Sequence, residues 1–497
     1  MKRIHYIIVL IFLSSTAFGQ TFVDALKLSN TQIHGTARSA AMGNAIGALG
    51  GDFTSLSINP AGIGLYQTSE FTFTPSFSFN ESDVQVGGNK FSDNDFEFNL
   101  DQVGYVGSYK LSNGSSSLVS INFGVGFNKL ADFNQTAMGA FNQSSVSFLD
   151  GIVDYANTES LSNAYLERQI GSIEYRDWHA KLAWETYLMD PVYDNNDNII
   201  DGQYVSILFE DEMVDQKKSW VSSGSITEYV FSAGLNFNHK FYLGATVGIH
   251  DVYYKMNQVY TEQLTNDSFS FRDRYLLTGT GYVFKLGAIY KPSSSVRLGF
   301  AFHTPTYYQL DEENNLYMIS WLADPEPNQY EGTNYFGYDF RTPLKAVLSG
   351  AFIINKAAII SFDAEYLDYS SMRYKDGYDG DDMDDINAEI GQNYEQVFNF
   401  RVGGELRVTN QISVQAGYEY YGEPFKSNVS IADAGSLKNE LSSVSVGAGY
   451  SYKNFFIDAA YKQYMKKSNI FDQQPNFSNL ALDSNNRKLM LTLGFRF

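Results

Sequence analysis

The chain has 497 residues, a formal net charge of -21, no cysteine, and 16% aromatic residues that include 36 Tyr and 38 Phe. The acid excess argues against a nucleic-acid partner, since a polyanion is bound by neutralising its phosphates with Lys and Arg. Without cysteine there are no disulfides and no thiol for a lipid anchor, so an exported chain of this size must be held by strand closure or core packing.

At the start, Lys2 and Arg3 precede the apolar run Tyr6 to Leu13, and Ala17-Phe18-Gly19 offers a small-residue cleavage site. This predicts a secretory signal peptide over residues 1–19 and a mature chain beginning at Gln20. The apolar run is too short to cross a bilayer as a helix, and after Gln20 no stretch approaches about 20 apolar residues. An exported, aromatic-rich chain without such helices can still span a membrane as a closed barrel, where every backbone polar group is paired between strands.

Residues 20–68 are rich in Gly, Ala and Ser and lack strand alternation, most densely from Gly35 to Asp52. Such residues suit tight packing in a confined space. A wide barrel leaves a channel unless something fills it, and this segment is the natural plug. Asn59-Pro60-Ala61-Gly62 then makes a sharp turn towards the first strand. Gly43 and Gly47 form a small-residue pair read as close packing.

From Ser69 onward one unit repeats: alternating strand, tiny turn, alternating strand, long polar loop. The tiny turns are Asn113-Gly114, Asn238-His239-Lys240, Pro292-Ser293-Ser294, Asn355-Lys356, Thr409-Asn410 and Lys453-Asn454. The long loops fall near 82–94, 131–222, 259–275, 306–339, 370–393, 422–440 and 465–485. Short turns on one side and long loops on the other is the pattern of an outer-membrane barrel, and an even count of about 14 strands over 69–497 puts both barrel ends in the periplasm. Alternation sends Ile412, Val414, Tyr418 and Tyr420 to lipid and Gln415 and Glu419 to the lumen; it also points Lys285, Arg297, Arg401, Glu405, Asp458 and Arg496 inward. Charges do not face hydrocarbon cheaply, so the lumen holds both signs, as wall-bracing pairs or as a substrate contact.

The longest loop, 131–222, is large enough to hold structure. Phe148, Leu149, Ile152 and Val153 recur at helical spacing, and Trp178, Leu182 and Trp184 make a second apolar cluster. These residues either form a capture site for a greasy ligand or pack on a neighbouring loop. Asp190-Pro191 to Gly202 reads as a small hairpin.

The chain ends on Leu489, Leu491, Leu493, Phe495 and Phe497 along one strand face. A terminal aromatic there resembles the signal by which outer-membrane barrels are recognised for insertion by the barrel-assembly machinery. Other constellations fail. Asp194, Asn196 and Asn198 start like a calcium loop, but Ile199 and Val205 stand where Gly and Glu are required. The acidic stretch Asp376 to Asp385 reads as a solvated loop tip. The His residues 5, 34, 179, 239, 250 and 303 show no metal-ligand spacing, so no metal and no cofactor are expected. No nucleophile elbow, P-loop or phosphate-binding glycine motif is present, and no enzyme is expected.

A resemblance then becomes specific. Thr36-Ala37-Arg38-Ser39 through Met42-Gly43, Gly47 to Asp52, and Ser57 to Gly62 with its Asn59-Pro60-Ala61 triplet resemble the N-terminal hatch of the FadL/TodX outer-membrane transporters for long-chain fatty acids and other hydrophobic compounds. The strand Arg297 to Thr306 resembles that family's mid-barrel motif, and the flavour is that of the Bacteroidetes branch. The resemblance implies an all-β fold, a transmembrane antiparallel barrel with a small hatch inside, acting as a monomer in the outer membrane of a Gram-negative bacterium. It implies a hydrophobic, fatty-acid-like ligand that lands on the loops, enters a pocket above the hatch, and leaves sideways to the membrane lipid at the kinked third strand. There Gly124 and Gly126 permit a bulge or kink, or else make room for the hatch. The alternative is a related barrel that serves protein secretion or assembly as a scaffold.

Overall fold

A computed structural model describes residues 21–86, 89–111, 117–209, 211–322, 326–427, 429–431, 435–436, 439–468 and 481–497. The expected signal peptide and the Asn113-Gly114 turn lie outside the described residues. The core of the fold is a closed antiparallel barrel of 14 strands. In chain order they are β1 (Glu70–Val86), β2 (Asn89–Lys110), β3 (Leu118–Asp132, continued by Gln135–Ser144), β4 (Val214–Phe237), β5 (Phe241–Gln263), β6 (Ser268–Tyr290) and β7 (Val296–His303, continued by Tyr307–Trp321). Then follow β8 (Asn328–Arg341, continued by Lys345–Ile354), β9 (Ala358–Asp368), β10 (Gln396–Arg407), β11 (Ile412–Tyr421), β12 (Asn439–Tyr452), β13 (Phe455–Ser468) and β14 (Ala481–Arg496). Each strand pairs with its sequence neighbours, and β14 pairs back onto β1 from Arg496↔Glu70 to Ala481↔Gln85.

The turns at one end are as tight as the residues demand. Asn238 and His239 have φ of 52° and 55°, and Asn355 and Lys356 have 49° and 58°. Two successive left-handed residues match the right-handed twist of the strands they join. At the other end the strands run much further than the loops expected there. The segments near 82–94, 259–275 and 306–339 are mostly strand, because the extensions carry polar residues on faces that no longer meet lipid and so show no greasy alternation.

The wall alternates as the sequence requires. Phe71, Phe77, Phe123, Phe231, Phe284, Phe300, Phe362 and Phe400 lie exposed on the outer face, and the residues between them point inward. Several inward charges are paired: Lys462 with Glu419 at 2.7 Å, Arg401 with Glu365 at 3.1 Å, Lys488 with Asp101 at 3.0 Å and Arg496 with Glu70 at 2.7 Å. Pairing is what lets a charge stay out of water at tolerable cost.

Inside the barrel sits the segment from Thr21 to Thr68. It contains α1 (Phe22–Ser29), α2 (Ala37–Ala41), α3 (Ser55–Ile58) and a 3₁₀ turn (Pro60–Leu65). Thr21 and Asp24 close a capping box on α1, and Thr36 caps α2. The small residues are explained by contact with the wall. A Cβ on Gly417 would sit 2.1 Å from Gly43 N, and one on Gly403 2.1 Å from Met42 O. Gly43 itself has φ of 59°, a conformation other residues seldom adopt.

Beyond the strand ends, the chain between β3 and β4 forms a cap: α4 (Phe148–Thr158), α5 (Asn163–Leu166), α6 (Trp178–Glu185) and a hairpin of Met189–Tyr193 with Ile199–Ser206. A further helix, α7 (Asp384–Asn393), lies between β9 and β10.

Candidate transport path: hatch, apolar chamber and wall gap

The hatch is bolted to the wall by the residues singled out in its motif. Arg38 Nε donates to Glu405 Oε2 at 2.6 Å, and Ala37 N donates to Thr492 Oγ1 at 2.7 Å. Asn59 does two jobs. Its Oδ1 accepts from Ala61 N at 3.1 Å, starting the 3₁₀ turn at Pro60, and its Nδ2 donates to Gly47 O at 2.7 Å. Pro60 fits that first helical position because its missing N–H has no partner to lose there. Ala61 is fully buried against Tyr242 and Ile289.

Beside the hatch lies a packed apolar cluster, the chamber of the candidate path, in which Ile226, Val252, Leu277, Tyr308, Leu310 and Phe340 of the strands meet Tyr369, Tyr374, Ile390, Tyr394 and Phe425. Helix α1 enters it with Ala25, Leu26 and Leu28 buried, and Tyr394 Oη donates to Phe22 O at 2.8 Å. Lys27 Nζ sits 4.2 Å from the centre of the Tyr254 ring, a cation held by an aromatic face. The hydroxyl of Tyr374 is buried there without a hydrogen-bond partner among the described residues.

Beside the chamber the wall is interrupted. The β2–β3 ladder runs only from Lys110↔Ser120 to Gln102↔Asn128, although β2 is 22 residues long. From Asn99 to Asn89 that edge of β2 has no ladder partner among the described residues. Strand β3 turns inward instead: Asn128, Lys129, Leu130 and Ala131 are buried in succession, which happens when both faces of a strand are covered. The ladder to β4 shifts register between Lys129 and Ala131, and Asn134 Oδ1 accepts from the N–H of Gly224, whose φ of 128° shapes β4 around the kink. Beyond the kink, Gln135 reaches Ser484 of β14 at 2.8 Å.

The hatch completes the kinked edge. Gln32 N donates to Leu130 O at 2.7 Å and His34 N to Lys129 O at 2.8 Å, so residues 32–34 occupy the edge of β3 that β2 has left. A polar cluster fills the space between. Lys129 Nζ bonds Asp132 at 3.3 Å and Asn99, while Lys488 Nζ bonds Asp101 at 3.0 Å and meets His34 Nδ1 at 3.3 Å. Asp101 is the extra residue of a bulge, where the β1–β2 register shifts between Thr74 and Pro75.

The predicted third-strand glycines lie below this gap. Gly126 pairs with Gly104 and Gly124 with Val106, inside the intact ladder. Both face the hatch: a Cβ on Gly124 would meet Leu56 Cδ2 at 2.7 Å, and one on Gly126 would meet Val103 O at 2.2 Å and Phe53 Cζ at 2.6 Å. In the cap, Phe148, Leu149, Ile152, Val153, Trp178 and Leu182 are buried, packed with Tyr260, Phe269, Phe271, Leu316 and Met318 of the strand extensions; Trp184 is half-buried at the edge of this cluster. Phe497 bonds Ser69 backbone to backbone and stacks on Tyr105 with ring centres 6.0 Å apart, outside the barrel.

Sequence reasoning missed α1, although Thr21-x-x-Asp24 before an apolar stripe is a helix-start signal. It also missed the Asp101, Lys129, Asp132 and Lys488 cluster, for which only the charges ending the Gly124–Asn128 alternation give a hint.

Residues 227–497 match the family model described as outer membrane protein transport protein (OMPP1/FadL/TodX). No curated protein matches the sequence. Among solved structures, a Pseudomonas aeruginosa FadL homologue aligns with a TM-score of 0.51 at 16% identity, covering 94% of this chain and 99% of that one. The Ralstonia pickettii toluene transporter TbuX gives 0.51 at 14% identity over 93% and 99%, and the Pseudomonas putida toluene transporter TodX 0.50 at 13% over 93% and 98%. These likenesses concern the fold. The family model covers more than half of the chain and rests on sequence, and on it the chain belongs to the OMPP1/FadL/TodX family of outer-membrane transport proteins.

Proposed function

We propose that this protein takes up hydrophobic small molecules, of the fatty-acid or aromatic-hydrocarbon kind, across the outer membrane. The observation that carries the reading is the adjacency of three parts: an apolar chamber holding α1, a hatch segment whose residues 32–34 clip onto β3, and a wall whose β2–β3 ladder stops at that clip. A greasy solute gains about 25 cal/mol per Å² by keeping its surface away from water, so a route from chamber to membrane through the wall suits it better than an aqueous pore. In this reading the ligand displaces α1 from the chamber, residues 32–34 release β3, and the ligand leaves between β2 and the kink. Gly124 and Gly126 let the hatch sit close beneath that exit. The closed, apolar-cored cap shields the chamber, and its exposed Tyr187, Tyr193 and Phe209 are the surface on which ligand first lands. Names of the solved relatives that mention toluene are consistent with such cargo.

The test is purification in mild detergent, with mass spectrometry of co-purifying small molecules and initial-rate uptake of labelled oleate and toluene into vesicles bearing the protein. Uptake above that of empty vesicles is expected for at least one of the two. A tight protein partner at equal stoichiometry, with no apolar ligand and no uptake, would replace this reading by the secretion-scaffold one.

A further inference from the structure

We infer that the outer surface of the wall from β3 to β6 is a binding site for one anionic phospholipid of the surrounding membrane, its head on Lys240 and Lys291 and an acyl chain in a groove of the wall. The chain carries a net charge of -21, yet its short turns are basic. Six turns join β2 to β3, β4 to β5, β6 to β7, β8 to β9, β10 to β11 and β12 to β13. Each, taken with the strand ends that enter it, holds a cation: Lys110, Lys240, Lys291, Lys356, Arg407 and Lys453. None of the six holds an Asp or Glu. None of these cations has a carboxylate within ion-pair distance among the described residues. Short turns of such a barrel face the periplasm, level with the phospholipid heads, and basic groups there attract anionic ones.

Two of the six cations adjoin beneath an indentation of the lipid-facing wall. Lys291 N donates to Lys240 O at 2.7 Å, which sets the turn after β4 beside the turn after β6. Above them one rung of the wall runs Phe123, Ala233, Ala245, Leu286 across β3, β4, β5 and β6, and the next runs Val125, Phe231, Val247, Phe284. The two alanines between larger side chains leave a groove of about 440 Å³, bounded by Phe123, Phe231, Val247 and Phe284. Those four side chains lie exposed on the outer face, so the groove opens to the membrane and not to the lumen.

Position and chemistry name the occupant. Ala245 follows Lys240 by five residues, about 17 Å along a strand and less along the membrane normal, because barrel strands tilt. Half of the hydrocarbon core is about 15 Å thick, so one lipid of the periplasmic leaflet reaches both places. A free phosphate has no tail for the groove. A zwitterionic lipid has the tail, but its own cation offsets the attraction of the lysines. Each ammonium beside an anionic head is worth about fivefold in binding, so the pair gives a preference of roughly 25-fold. The site lies outside the barrel and does not rest on the proposed uptake.

Native mass spectrometry of the detergent-purified full chain, titrated with dioleoyl phosphatidylglycerol or dioleoyl phosphatidylethanolamine, tests this by counting bound lipid. One phosphatidylglycerol is expected to stay bound, in clear preference to phosphatidylethanolamine. Lys240→Gln with Lys291→Gln should erase that preference. Arg407→Gln with Lys453→Gln removes the same charge from turns away from the groove and should keep it. Ala233→Phe fills the groove and should weaken both lipids alike; if it does not fold, as judged by heat-modifiable gel mobility, Ala245→Leu takes its place. Equal binding of the two lipids by the unmodified chain overturns the inference, as does an unchanged preference in the Lys240 and Lys291 variant. An equal loss in the Arg407 and Lys453 variant also overturns it, because the preference then belongs to the total charge of the rim. Undiminished binding by the groove-filled variant overturns the placement of the tail.

Discussion

Lys488→Met should loosen the barrel at the wall gap, and by an amount the contacts define. Lys488 Nζ lies 3.0 Å from Asp101 and 4.0 Å from Asp132, and the Lys488 and Asp101 side chains are 1% and 0% exposed. Asp132 keeps Lys129 and the N–H of Asn134 when Lys488 is removed. Among the described residues Asp101 keeps nothing: Oδ1 has only Lys488 and Oδ2 has no partner. Breaking a buried pair by deleting one member costs about 3–5 kcal/mol, chiefly because the other charge stays buried and unpaired. Adding Asp101→Asn removes that charge and should recover about 2 kcal/mol or more, a coupling expected of groups in direct contact. The assay is reversible urea unfolding of the barrel in lipid vesicles, followed by tryptophan fluorescence, for both single variants and the double variant. A Lys488→Met cost below about 1 kcal/mol, or a double variant no more stable than Lys488→Met, would refute the claim that this pair holds β2 against β14 at the gap.

The two third-strand glycines should behave differently. Gly126→Ala drives a Cβ into the backbone oxygen of Val103, which cannot give way, so folding yield falls; Gly124→Ala meets the ends of Leu56 and Ile63 side chains, so the barrel folds and uptake changes instead. Heat-modifiable gel mobility beside vesicle uptake distinguishes them, and equal behaviour counts against this placement. Asn59→Ala strands Gly47 O and Ala61 N in a fully buried site; at about 1–3 kcal/mol for an orphaned polar group, the hatch should become protease-sensitive in a barrel that stays closed. His179 packs between Phe148 and Phe271 in the cap, and burial holds its imidazole down to about 4. Because the folded value lies below the unfolded 6.5, the unfolded cap binds more protons in acid, so cap stability is fully present above pH 6.5 and declines as pH falls towards 4. Limited proteolysis of the cap across that window checks it, and His179→Phe should flatten the profile.

Much of this architecture was readable because a barrel wall obeys a period of two. Strand β11 shows it best: Ile412, Val414, Tyr418 and Tyr420 face out, and Gln415 and Glu419 face in, with nothing but alternation needed to say so. The hatch was readable from its small residues, since Gly43 against Gly417 leaves no room for a side chain. What was not readable depended on departures from the period. Asp101 and Gln102 both point inward because of a bulge, and Lys129 to Ala131 are buried on both faces because the strand leaves the wall. The apolar stripes of the cap could equally be surface or core on sequence grounds; Tyr260, Phe269 and Phe271, which pack in one cluster with Phe148 and Trp178, come from strand extensions whose polar pattern reads as loop.

In the proposed route, release of residues 32–34 from β3 opens the path. His34 and Lys129 face each other in an antiparallel bridge, a spacing of about 4.5–5.5 Å between Cα atoms that a disulfide accepts. Because the chain has no cysteine of its own, the double variant His34→Cys with Lys129→Cys can be locked by oxidation and freed by reduction without side reactions. Uptake of the apolar probe should stop when the pair is oxidised and return when it is reduced. Equal uptake in the two states, with cross-linking verified by mass spectrometry, would contradict the account.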